Sequence, residues 1–260
     1  MWYLLYFFIA FGATTIGSMT GMGGGVIIKP LLDVLHDFDV ETIGGLSAIT
    51  VFFMTLVSIG KQIVAKTEIP FAQGVPLAIG SVLGGFWGQK ILKAVVIAFH
   101  VQKQVLVIQN VVLGILIFLV YLYMRKKEEI PGKNLSGAPV SLLVGCFLGL
   151  CSSFLGIGGG PINVALLIYL YSMSTKTAAV CSLITILFAQ ISKLLTMAVA
   201  SDFGKLDLSM APVMVIGAVL GGYLGAVCNK KLSEKKVEWA FNMVQIGVLG
   251  MTAFNIVRNL

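Results

Sequence analysis

Apolar runs of roughly 20 residues, the length that crosses a ~30 Å hydrocarbon layer, follow one another along the chain and leave only short polar connectors. Six read as ordinary membrane spans, near residues 42–60, 70–89, 104–124, 176–199, 209–228 and 236–257. Two other apolar stretches, 2–35 and 138–171, are too long for one crossing, because at about 1.5 Å per residue each would reach about 50 Å. Both contain a glycine run, and both are predicted to break there and turn back. The first ten residues lack the basic start of a secretory signal, so the opening stretch is expected to stay as a helix.

The two interrupted stretches resemble each other. Gly21, Met22, Gly23, Gly24 and Gly25, followed by Leu31 and Leu32, match Gly156, Ile157, Gly158, Gly159 and Gly160, followed by Leu166 and Leu167, at one constant offset. The same offset aligns Thr42 with Thr177, Ser47 with Ser182 and Thr50 with Thr185. Further on, the glycine pattern of 80–88 returns at 217–225. Ordered matches of this kind point to an internal duplication. The expected organisation is a first transmembrane repeat over 1–124, a linker over 125–137 containing Pro131 and Gly132, and a second repeat over 138–260. The fold class is therefore all-α integral membrane, with two homologous repeats. Each is a glycine-broken hairpin or re-entrant segment plus three transmembrane helices, about eight to ten membrane segments in all.

Composition sharpens this picture. The 260 residues are 58% hydrophobic and 11% charged, with mean hydropathy +0.98, whereas soluble domains carry about 25% charged residues. The net charge of +7 does not indicate nucleic acid, because the basic residues cluster between apolar spans. If each broken stretch is a hairpin, Lys61, Lys66, Arg125, Lys126, Lys127, Lys133, Lys176, Lys230, Lys231, Lys235 and Lys236 fall on one face. Lys90, Lys93, Lys103, Lys205 and Arg258 then fall on the other. That asymmetry favours hairpins, places both termini outside and makes the repeats inverted, as in many secondary transporters. The location is a cell membrane, inner or plasma, crossed many times.

Glycine runs at membrane depth expose backbone that hydrocarbon cannot satisfy, so the breaks must face protein or a water-lined cavity. A short helix starting after each, at Val26 or Pro161, would offer first-turn N–H groups and a positive dipole end to an anion. Gly23, Gly24, Gly25, Gly158, Gly159 and Gly160 are accordingly candidate substrate-site positions. Asn163, in the first turn after Gly160, is the best single side chain. Thr20, Ser152, Ser153, Ser47, Thr50, Ser182, Thr185 and Gln190 could replace an oxyanion's water shell, although interhelical bonding is the plainer role for any one of them. Gly80, Gly84, Gly88, Gly217, Gly221 and Gly225 are assigned to close helix packing.

Lys29 and Lys193 belong to no connector. A buried ammonium costs about 2.5–3.5 kcal/mol on insertion scales, which either a permeating anion or snorkelling to the interface would offset. No carboxylate falls at the middle of a predicted span, so no internal ion pair is expected and a proton relay is disfavoured. Asp33, Asp37, Asp39 and Glu41 read as a solvated external loop. Cys151 and Cys181 read as small apolar fillers. His36 and His100 receive no role. No metal site, cofactor or catalytic residue is expected: there is no CxxC pair, no His-Glu motif and no Ser–His constellation at depth.

The paired glycine motifs, the second followed by Pro161, and the duplicated Thr and Ser positions behind them resemble the signatures of the sulfite exporter TauE/SafE family of permeases, over essentially the whole chain. The resemblance implies about eight spans with an internal duplication and transport of sulfite, organosulfonates or related sulfur-containing anions in either direction. Lys29 stands where an apolar residue is more usual in the family, and its counterpart is Val164. The expected partners are a small anionic substrate and the lipid bilayer, with a homodimer left open. A passive anion channel, a carrier of non-sulfur carboxylates and a scaffold remain as alternatives.

Overall fold

The structure, a computed structural model, describes residues 2–35, 37–67, 70–99, 102–200, 204 and 206–259. His36, His100 and Lys205 lie outside the described residues. Among the described residues the secondary structure is ten α-helices: α1 Trp2–Thr20, α2 Gly25–Leu35, α3 Val40–Val64, α4 Phe71–Phe99, α5 Gln102–Lys126, α6 Ala138–Leu155, α7 Gly160–Tyr171, α8 Thr175–Val199, α9 Ala211–Lys231 and α10 Glu234–Asn259. Seven of them (α1, α3, α5, α6, α8, α9 and α10) are long and apolar enough to cross a membrane. The protein is an all-α, multi-pass membrane protein.

Local chemistry sets the helix ends. Asp39 caps α3 by accepting from Thr42 N at 2.7 Å, and Ser174 caps α8 by accepting from Thr177 N at 3.2 Å, each satisfying one orphan donor of a first turn. Pro161 and Pro212 sit in the first turns of α7 and α9, where a missing N–H removes no helical bond. α4 runs ten residues beyond its expected end. Lys90 does not stop it, because its ammonium lies over the Phe86 and Trp87 rings at 4.4 and 5.2 Å, a setting that suits a charge near the end of an apolar helix.

Both broken stretches are hairpins. At 11 and 12 residues, α2 and α7 span about 17–18 Å, little more than half the hydrocarbon layer. α2 returns along α1: Gly23 N donates to Gly17 O at 3.2 Å, and at the far end Tyr6 Oη donates to Asp37 Oδ2 at 2.7 Å. α7 returns along α6 in the same way, with Tyr171 Oη donating to Ser141 Oγ at 2.9 Å.

The helices pair closely where glycines remove side chains. Gly80, Gly84 and Gly88 of α4 meet the backbone of α6 around Leu142, Cys146 and Leu150, while Gly145 and Gly149 of α6 meet Leu77 and Ser81 of α4. Gly217, Gly221 and Gly225 of α9 lie in the same manner against Phe7, Phe11, Thr14 and Thr15 of α1. These six motif glycines are in packing positions. α1 thus packs along α9, and α6 along α4. α3 and α8 fill the centre, with most of their length buried. α5 and α10 pack on each other and against the short helices α7 and α2 respectively.

Two expectations are overturned. Asp33 is no solvated loop residue: it lies in α2 and is 1% exposed. It also forms the internal ion pair that was not expected, with Lys29 Nζ 3.1 Å from Asp33 Oδ2. Helix α2 continues through Pro30 to Leu35, so that Lys29 and Asp33, four residues apart, share one helical face.

Candidate functional site

The two glycine turns, at 21–24 and 156–159, meet tip to tip between α3 and α8. Gly21, Gly23, Gly156, Gly158 and Gly159 have φ between +68° and +82°, the left-handed region that L side chains rarely adopt. Gly160 and Gly25 are needed for a different reason: a methyl on Gly160 would overlap the Met22 carbonyl, and one on Gly25 would press on the Ile157 carbonyl. Each turn thus lies against the first residue of the other's short helix.

The helices that lead into the turns leave carbonyls without intrahelical partners, and two aligned serines take them. Ser47 Oγ donates to Gly156 O at 3.1 Å, and Ser182 Oγ donates to Gly21 O at 2.6 Å. Between the tips, near the middle of α3 and α8, Val51 and Ile186 are fully buried. Both lie within 4 Å of where a methyl on Gly23 or Gly158 would stand. The two turns are closed over this apolar contact.

Polar chemistry is concentrated on the second turn. Ser152, Ser153, Asn163 and Gln190 are buried, yet Ser152 Oγ, Ser153 Oγ, both amide atoms of Asn163 and Gln190 Oε1 have no hydrogen-bond partner among the described residues. Leaving such groups unmatched costs about 1–3 kcal/mol each. Asn163 Oδ1 would lie 3.1 Å from a methyl on Gly159, and Gln190 Nε2 3.6 Å from one on Gly158, which places both amides against the turn. On the first turn the hydroxyl aligned with Ser153 is satisfied, since Ser18 Oγ pairs with Ser58 Oγ at 2.8 Å and donates to Gly222 O at 2.9 Å.

Lys29 and Lys193 are each 2% exposed, so neither snorkels. Both flank Gly156, where an added methyl would lie 3.4 Å from Lys29 Cδ and Cε and 3.7 Å from Lys193 Nζ. Lys193 Nζ donates to Gly44 O at 2.9 Å. Asp33 Oδ2 accepts from Lys29 Nζ and, at 3.4 Å, from Asn110 Nδ2. Asn255 Nδ2 donates to Pro30 O at 3.1 Å, tying α10 to the same helix.

The structure brings Gly23, Gly158, Gly159, Gly160, Gly25, Ser153, Asn163, Gln190, Lys29 and Lys193 around the meeting tips. It does not bring the three threonine hydroxyls there as donors: Thr20, Thr50 and Thr185 give their hydrogens to Ile16 O, Leu46 O and Cys181 O of their own helices. Gly24 packs on Thr14 of α1. Residues that sequence reasoning missed are Asp33, Asn110, Asn255, Val51 and Ile186. An i,i+4 Lys–Asp spacing and amides inside apolar spans were available signals for the first three; nothing in the linear pattern distinguishes the last two from other core residues.

Comparison with known proteins agrees with this architecture. The family model described as sulfite exporter TauE/SafE matches residues 6–251. The probable membrane transporter protein YunE of Bacillus subtilis (strain 168) is 25% identical over 90% of this chain and 91% of its own length. The probable membrane transporter protein MJ0441 of Methanocaldococcus jannaschii is 23% identical over 95% and 93%. No solved structure matches the chain. A family match over nearly the whole chain, on a multi-pass helical fold, establishes that the protein belongs to the sulfite exporter TauE/SafE family of membrane transporters.

Proposed function

We propose that the protein carries a small sulfur-containing anion, sulfite or an organosulfonate, held between the two glycine turns with Asn163, Ser152, Ser153 and Gln190 as neutral hydrogen-bonding groups. The observation that carries this reading is the set of buried, unmatched polar atoms on the second turn beside two buried lysines. Native interiors retain few such groups without a use. The first-turn N–H groups of α2 and α7 add positive potential directed at the same place.

Within this reading residues 1–124 and 138–260 are inverted repeats joined by 125–137, and one rocks against the other. The reciprocal Ser47 and Ser182 bonds and the reciprocal packing of Met22 on Gly160 and Ile157 on Gly25 support a two-fold relation between them. The Val51–Ile186 contact favours a carrier that alternates access over a passive anion channel. The protein acts as a transporter and performs no chemistry on its cargo.

Purified protein in liposomes is expected to show saturable uptake of sulfite or isethionate, reduced about tenfold by Asn163→Ala, a loss of about 1.4 kcal/mol. Ser152→Ala with Ser153→Ala should lower it further. Flux that is unchanged in both variants removes the site. Single-channel currents would select the channel.

A further inference from the structure

We infer that the lysine cluster beside Gly156 selects the charge of the transported anion, favouring monovalent anions such as hydrogensulfite and simple sulfonates over divalent ones. This rests on the proposed anion transport and adds to it the cargo's charge. With both amines protonated, Lys29, Lys193 and Asp33 sum to one surplus positive charge, and all three are at most 2% exposed. Asp33 lies 3.1 Å from Lys29 Nζ and is taken up by it. Lys193 has no carboxylate within ion-pair distance among the described residues and donates to the Gly44 carbonyl, a neutral acceptor that cannot cancel its charge. A buried charge without a counter-charge is costly, and one negative charge on the cargo would balance it.

A small cavity lies beside this cluster. A cavity of ≈ 30 Å³ is lined by Glu41, Gly44, Gln89, Lys93 and Lys193 among others. Gln89 is 6% exposed, and its Oε1 has no partner among the described residues. Gln89 and Lys193 thus line one cavity, with the Gln89 Oε1 acceptor unmatched among the described residues. Glu41 and Lys93 line the same cavity. The cavity has room for about one water, so a sulfonate reaches Lys193 only as the tips part. Gly44 lies directly beside the amine: a methyl there would stand 3.4 Å from Lys193 Nζ.

The inference gives opposite expectations for two substitutions. In proteoliposomes, uptake of methanesulfonate (monovalent) is compared with that of sulfoacetate (divalent) at one pH and ionic strength. The wild-type protein should favour methanesulfonate. Asp33→Asn raises the surplus to two and should shift the preference towards sulfoacetate. Lys193→Met removes the surplus and should lower methanesulfonate uptake by about tenfold or more, whereas Lys193→Arg should retain it. Detergent-purified samples of each variant are checked by thermal unfolding and by ligand-induced stabilisation with the same two anions, so that a folding defect is separated from a change in selectivity. A ratio of the two uptakes, and of the two stabilisations, that is the same in wild type, Asp33→Asn and Lys193→Met overturns the charge count while leaving anion transport standing. Neither uptake nor stabilisation of the wild-type protein by any sulfite or sulfonate overturns the proposed function, and this inference falls with it.

Discussion

At the scale of single residues, Asn163 poses the sharpest conflict between folding and function. Its amide is fully buried with both polar atoms unmatched among the described residues, so the fold would be better served by an apolar side chain of similar size. Asn163→Leu is expected to raise stability by about 1–3 kcal/mol while transport falls at least as far as in the alanine variant. Thermal unfolding and liposome flux measured on one preparation test this, and a destabilised variant that still transports would contradict it. The glycine motifs and the aligned Ser47 and Ser182 were legible in the sequence because a duplicated pattern exposes any position that resists change. Asp33 was not. Placed among Asp37, Asp39 and Glu41 it looks like part of a wetted acidic loop, and only the continuation of α2 past Pro30 turns Lys29 and Asp33 into a buried pair. Val51 and Ile186 were illegible for another reason: an apolar contact between two turns is chemically the same as any other core contact, and only tertiary geometry singles it out.

At the scale of helices, the physics is close approach without side chains. Lipid offers no hydrophobic driving force between helices, so packing and backbone proximity hold them together, and the α4–α6 and α1–α9 pairs place glycine against carbonyl along their length. Gly84→Val would drive its side chain into the Cys146 carbonyl and is expected to cost about 1–3 kcal/mol or more by overpacking. Gly60→Ala, in α3 with open space around it, should be neutral or stabilise by up to about 1 kcal/mol. Parallel thermal unfolding of the two variants checks the contrast; equal effects would mean that close approach is not what holds α4 on α6. The broken stretches were legible as hairpins or re-entrant segments from their length, their glycine runs and the sidedness of the basic residues. The extent of α4 was not, because Lys90 and Lys93 read as the beginning of a connector, whereas the rings of Phe86 and Trp87 let the helix carry Lys90 onward.

At the scale of the whole molecule, the hairpins decide the sidedness. Because α2 returns along α1 and α7 along α6, the C-terminal ends of α3, α5 and α9 gather on one face with the N-terminal ends of α6, α8 and α10. Lys230 Nζ donating to Ala65 O at 3.0 Å, Lys176 Nζ donating to Lys230 O at 3.2 Å and Lys127 Nζ 2.6 Å from Glu238 Oε2 join these ends across the surface. The opposite face is joined by Arg258 Nη1 donating to Val34 O at 2.8 Å and by the Tyr6–Asp37 bond. The first face holds most of the basic residues, and the rule that short basic loops stay cytoplasmic orients it inward. On this orientation the cavity beside Lys193, lined by the start of α3 and the latter part of α8, lies towards the outward face. Single cysteines test this orientation in a background with Cys146, Cys151, Cys181 and Cys228 replaced by alanine. Lys133→Cys should react with a membrane-impermeant maleimide only after the cells are opened, while Trp2→Cys should react in intact cells. The reverse pattern would turn the molecule over, placing the Lys193 cavity on the cytoplasmic side, so that the charge-selecting cluster would meet the cargo on its way out. Labelling of both positions from one side would be incompatible with the hairpins themselves, since Trp2 begins α1 on one face and residue 133 precedes α6 on the other.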